Sequence, residues 1–170
     1  WSVALTDMIQ TVVIVVGLII IAVLLSNLAG GVGAVVESAR ASGRLQLFPD
    51  GGARPWLLYA TGFLTTALGS IPQQDVFQRV TSAKNERTAV AGTLLGGGFY
   101  FLFAFVPMFI AYSAIVIDPT YLDLFQSDDE RQVQRILPNL ILDKTPFWAQ
   151  VLFLGALVSA ILSTASGTLL

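Results

Sequence analysis

The sequence predicts an all-α membrane protein, a multi-span helical bundle, and three observations carry that reading. Of its 170 residues, 55% are apolar and only 12% charged, where soluble domains carry about 25% charged residues. The nine basic and eleven acidic residues leave four uncharged stretches, Met8 to Val36, Pro55 to Gln74, Thr88 to Ile117 and Thr145 to Leu170. Each reaches or approaches the roughly 20 apolar residues that cross a bilayer. Charged or turn-forming clusters such as PDGGARP (Pro49 to Pro55) punctuate the stretches, as connections between spans require. The mean hydropathy of +0.75 agrees.

The composition also excludes chemistries. There is no cysteine and no histidine, so disulfides, thiolate nucleophiles, imidazole bases and the usual zinc or haem ligands are ruled out. A net charge of -2 offers no basic stripe for nucleic acid. Asp7 and Asp75 are the only acids close to spans, and no second motif organises them for acid-base work. The chain is therefore not read as an enzyme. It opens on Trp1 with no charged leader and stops at Leu170 within an apolar run. The expectation is a fragment of one transmembrane domain.

Taken in order, the first span covers about residues 3–26 and is apolar all round between Thr11 and Ser26, as a helix between lipid and neighbouring helices should be. The segment 27–55 is rich in Gly and Ala and carries Arg40, Arg44 and Arg54; a short interfacial helix is expected near Val32 to Ser42. The second span, about 56–75, is short and polar, with Thr61, Thr65, Thr66 and Ser70 ahead of Pro72. Proline removes a backbone donor and clashes with the turn before it, so this helix should break between Gly69 and Pro72. At membrane depth such a break is tolerated only where protein or water satisfies the freed backbone.

The third span, about 90–117, holds Gly96, Gly97 and Gly98 and then Pro107, which suggests close helix approach and a bend. The loop 118–145 should carry a helix over DDERQVQRILPNLIL, its acids in the first turn where the helix dipole favours them. The fourth span occupies about 146–170. If the dense basic loop 79–89, with Arg79, Lys84 and Arg87, is cytoplasmic, then the loops 27–55 and 118–145 are extracellular.

Two spans carry polar residues that invite a functional reading. Gly155, Ser159, Ser163 and Ser166, with Gly167, recur at helical spacing on one face, and Thr164 lies beside it. Small-residue packing, each hydroxyl bonded back to its own helix, is the commoner cause of such a stripe. The other is an alkali-cation site, since a hard monovalent ion takes neutral oxygens. Asp7, with Gln10 one turn on, is either an interfacial helix-start residue behind Thr6 or an intramembrane acid, which costs about 2.5–3.5 kcal/mol at mid-membrane. Gln73, Gln74, Asp75, Gln78 and Arg79 follow the proline break as a polar patch that could line a cavity.

Three segments together resemble the sodium/solute symporter family: TDMIQ (Thr6 to Gln10), IPQQDVFQRVTSAK (Ile71 to Lys84) and GALVSAILSTASGTLL (Gly155 to Leu170). The resemblance implies part of a five-plus-five inverted-repeat transporter core, core helices five to eight. It implies a sodium site fed by the Ala160 carbonyl and the Ser163 and Thr164 hydroxyls, with Asp7 on the cytoplasmic cation path. Gln73 and Gln74 would contact substrate, and Gln78 with Arg79 would mark the cytoplasmic end of the broken helix. The second segment is most similar to the choline-transporter branch, but Gln73 stands where that branch has an aromatic residue suited to a quaternary ammonium. A solute that accepts hydrogen bonds, such as an organic acid, amino acid or polar metabolite, is expected instead.

The function implied is sodium-coupled uptake of a small organic solute by alternating access. The sodium ion is the implied cofactor. The partners are the solute, the bilayer of the plasma or inner membrane and the remaining core helices, without nucleic acid. The alternative is a symporter-like membrane sensor module of a signalling protein such as a histidine kinase.

Overall fold

The computed structural model describes residues 2–69, 71, 73, 77, 80–125 and 129–169, and for residues 2–4, 130 and 166–169 the backbone alone. Among the described residues the fold is entirely helical. Helix α1 (Ser2–Leu28) has 27 residues, a length of about 40 Å at 1.5 Å per residue. It ends in a Schellman motif: the Gly31 N–H donates to the Ser26 carbonyl at 2.7 Å and the Gly30 N–H to the Asn27 carbonyl at 3.3 Å. The motif needs a left-handed residue after the last turn, and Gly30 supplies it with φ +90°.

Gly31, at φ +100°, then turns the chain into α2 (Val32–Ala41), which buries Val35 and Ala39 one turn apart. Helix α3 (Ala53–Gly69) has 17 residues, none of them buried. Its Thr61 and Thr66 hydroxyls donate to the carbonyls of Leu57 and Gly62 at 2.8 and 3.0 Å. The helix is described as far as Gly69, and the break expected between Gly69 and Pro72 falls largely outside the described residues. Ile71 closes a turn onto the Leu68 carbonyl; Pro72, Gln74, Asp75, Gln78 and Arg79 lie outside the described residues.

Helix α4 (Glu86–Phe103) starts on Asn85, whose side-chain oxygen accepts from both the N–H and the hydroxyl of Thr88 at 2.8 Å, a standard N-cap. It gives way at Ala104 to α5 (Phe105–Ile117). Pro107 explains the break, because it has no N–H for the Phe103 carbonyl one turn back. A short helix α6 (Tyr121–Phe125) and the amphipathic α7 (Glu130–Lys144) follow. Asp129 caps α7 by accepting from the Arg131 N–H at 3.0 Å. Helix α8 (Phe147–Leu169) closes the order.

Three of the described segments are long and apolar enough to cross a membrane: Leu5–Leu28, Glu86–Ile117 and Phe147–Ala165. Helix α1 packs chiefly on α5 and α8, and α7 lies across α5 and α8. The core joins Ile21 and Leu25 of α1, Ile110 and Ala114 of α5, Ile136, Leu140 and Ile141 of α7, and Phe153 of α8. These positions fall late in α1 and early in α8, so the two helices run antiparallel and the core sits at the α7 end of the bundle.

That end is tied by side chains as well. Gln150 Nε2 donates to the Leu142 and Thr145 carbonyls, both at 2.8 Å, and the Thr145 hydroxyl donates to the Ile141 carbonyl at 2.6 Å. The Tyr112 hydroxyl of α5 donates to the Arg44 carbonyl just beyond α2 at 3.2 Å.

Candidate functional site

Asp7, Gln10, Ile14, Leu18, Ile21 and Leu25 of α1 are among its less exposed positions and, three or four residues apart, share one face. The stripe is polar over its first turns and apolar beyond. Its apolar half enters the core, while its polar half meets the small-residue face of α8 at the opposite end of the bundle. There Ser163 Oγ donates to Asp7 Oδ1 at 2.5 Å, joining residues 156 positions apart. Both are half-buried. Asp7 lies five residues inside a helix that begins at Ser2, so it is not the residue that starts the helix.

Two cavities flank this pair. An open cleft of about 820 Å³ is lined by Asp7, Gln10, Gly155, Ser159 and Ser163, among others. A smaller one of about 170 Å³ is lined by Asp7, Gln10, Thr11, Ile14, Ala160, Ser163 and Thr164. Of the residues lining either one, only Asp7 carries a charge. A third, almost wholly apolar cavity of about 230 Å³ continues along the α1–α8 seam past Gly17, Pro107 and Leu137.

Two details describe the stripe. A Cβ on Gly155 would meet nothing within 4 Å, so that position borders open space among the described residues. Thr11, Thr61, Thr66, Thr93 and Ser113 each donate to the carbonyl four residues back. The Ser163 hydroxyl reaches across to α1 instead.

Asp7, Ala160, Ser163 and Thr164 thus line one cavity. Gln73 is exposed and lines none of the three seam cavities, and Gln74 lies outside the described residues. Thr11 and Ile14 also line the smaller cavity, although neither stands among the site residues expected from sequence. Their offsets of four and seven from Asp7 are the signal that finds them. Chemically, a carboxylate, hydroxyls and backbone carbonyls in a half-buried seam form a donor set for a hard cation. Among the described residues no group of three His, Cys, Asp or Glu is placed to hold a metal ion.

Apolar helices of spanning length, with hydrophilic groups gathered in the seam between two of them, define a multi-span helical membrane protein. The family model for the sodium:solute symporter family matches residues 1–170, and the chain belongs to that family. Its members are transporters, not enzymes, and they couple solute movement to sodium. Neither the curated proteins nor the solved structures gave a match to the chain.

Proposed function

We propose that the protein takes up a small organic solute driven by sodium moving down its gradient, through alternating access, in the plasma or inner membrane. Sodium is a co-transported substrate here, with the Ala160 carbonyl and the Ser163 and Thr164 hydroxyls as its ligands. Asp7 stands on the cytoplasmic cation path, and Gln73 and Gln74 contact the solute. The observation that carries this reading is the cavity lined jointly by Asp7, Ala160, Ser163 and Thr164.

The donor set fits the ion: neutral oxygens beside one carboxylate suit a hard monovalent cation. In this reading residues 3–26, 56–75, 90–117 and 146–170 are spans, with 27–55 and 118–145 extracellular and 79–89 cytoplasmic. Both members of the Asp7–Ser163 pair then sit in the cytoplasmic half. The amide at Gln73, in place of an aromatic ring, favours a solute that accepts hydrogen bonds. None of the observations above favours the sensor module.

The test is uptake by the full-length protein in proteoliposomes, across carboxylates, amino acids and quaternary amines. Uptake that collapses when external sodium is replaced by potassium supports the reading. Uptake indifferent to that replacement overturns it.

A further inference from the structure

We propose a lipid site between α1 and α5: one phospholipid, with an acyl chain in the groove there and its ester oxygens at Ser26. The groove has a volume of about 320 Å³ and is walled by Ile19, Ala22 and Val23 of α1 and by Phe105, Val106 and Phe109 of α5. Ser26, Asn27 and Val32 close it at the α2 end. Its α1 positions, 19, 22, 23, 26 and 27, share a face distinct from that of Ile14, Gly17, Leu18 and Ile21, which line the α8 seam. Phe105 is braced edge-on by Phe101, with ring centroids 5.6 Å apart.

The groove is ordered by polarity along its length. From Ile19 to Asn27 it follows eight residues of helix, about 12 Å at 1.5 Å per residue. One leaflet contributes about 15 Å of a hydrocarbon core roughly 30 Å thick, so a single chain's depth covers it. Both walls belong to apolar segments of spanning length. The deep end is aliphatic and aromatic, while the Ser26 end lies two residues before α1 finishes at Leu28.

Ser26 points to the ligand's chemistry. The residue is only 4% exposed, and its hydroxyl makes no hydrogen bond among the described residues, whereas those of Thr11 and Ser113 donate to the carbonyl four residues back. No polar side-chain atom is sealed away without a partner, so the hydroxyl opens onto the groove it lines. An unmet donor beside apolar walls is costly, and an ester carbonyl at the head of an acyl chain accepts its hydrogen.

Two observations favour a membrane lipid as the occupant. Val12 and Val16 are exposed on the same face of α1 as Ile19 and Val23, so the groove continues an apolar stripe directed at the bilayer. Beyond its polar end, residues 27–55 carry three arginines against two acids, with Arg40 in the last turn of α2. A lipid phosphate there meets a net positive rim, as basic segments beside a span attract anionic headgroups.

The test is retention of palmitoyl-oleoyl phosphatidylglycerol by the purified full-length protein, counted by native mass spectrometry after loosely held lipid is stripped. Wild type should keep one molecule. Ala22→Phe fills the groove and should weaken retention by about fivefold or more; Ser26→Ala removes the donor and should weaken it by about 2- to 13-fold, the worth of one neutral hydrogen bond. Val16→Phe, on the same face outside the groove, should stay within about twofold of wild type. A wild type that keeps no phospholipid, or equal retention by Ala22→Phe and Val16→Phe, overturns the proposal. Should Ala22→Phe fail to insert, wild type is imaged with dibrominated phosphatidylglycerol: bromine between Ile19 and Phe109 supports the site, and a protein helix there, or no bromine, overturns it.

Discussion

Ile14 of α1 and Ala160 of α8 line both the polar cavity beside Asp7 and the apolar cavity beyond it. They are the boundary of the seam: carboxylate and hydroxyls on one side, aliphatic side chains on the other. A polar and an apolar compartment can adjoin only if side chains without polar atoms stand between them, because water in the apolar part would find no partners.

The boundary position is open to a larger side chain. Ala160→Leu has about 230 Å³ of apolar space to enter, and cavity-filling changes add about 0.5–2 kcal/mol of stability. The expected outcome is an unchanged or raised Tm in detergent, with the sodium requirement within about twofold of wild type because the ligand proposed there is a backbone carbonyl. A clear loss of stability would mean that another part of the full-length protein already fills the space.

Ser163→Ala and Thr164→Ala each remove a hydroxyl from the cavity. One neutral hydrogen-bonding group is worth about 0.5–1.5 kcal/mol, so each should raise half-saturating sodium by about 2- to 13-fold. Sodium titration of uptake reads this directly, and unchanged titrations for both variants would remove them from the ligand set.

Gln150 has its two side-chain hydrogens on the Leu142 and Thr145 carbonyls. Gln150→Leu keeps the bulk and strips both bonds. A loss of about 1–3 kcal/mol is expected, seen as a lower Tm, with faster proteolysis confined to the α7–α8 corner. A variant as stable as wild type would show those carbonyls to be equally well served by water.

Asp118 gives a pH signature outside the spans. Its carboxyl is held below the ordinary carboxylate range, first by the Thr120 hydroxyl, then by the Thr120 N–H and the charge of Lys144, with burial opposing. A lowered folded-state value contributes stability that is present above the unfolded value and is lost as pH falls through the folded one. Thr120→Val removes the largest cause. Wild type should therefore exceed the variant in Tm at neutral pH, and the gap should close on acidification below the ordinary carboxylate range. A gap independent of pH would assign the effect to packing.

Much of this was legible without coordinates, for reasons particular to the residues. A helix such as α1, apolar all round from Thr11 to Ser26, has one stable placement, and Pro107 marks a break by its backbone chemistry. The cation candidates were legible because Ala160, Ser163 and Thr164 lie within five residues of one helix. What sequence could not supply was direction. Whether the Ser163 hydrogen turns to its own helix or to Asp7 depends on a neighbour 156 residues away. The Tyr112 bond to the Arg44 carbonyl spans 68, and nothing local encodes it. Gln73 is exposed and lines none of the seam cavities, so its place in the substrate site rests on the sequence alone.

If α1 tilted as a rigid rod about its core contacts, the fulcrum would lie near Ile21. Fourteen residues separate Ile21 from Asp7, an arm of about 21 Å at 1.5 Å per residue. A tilt of about 10° leaves the fulcrum almost still yet swings the far end by roughly 4 Å, by the geometry of a rigid helix. That travel exceeds the whole 2.5 Å span of the Asp7–Ser163 bond. An angular change of that size would make or break the contact between the two side chains while leaving the aliphatic anchor nearly in place.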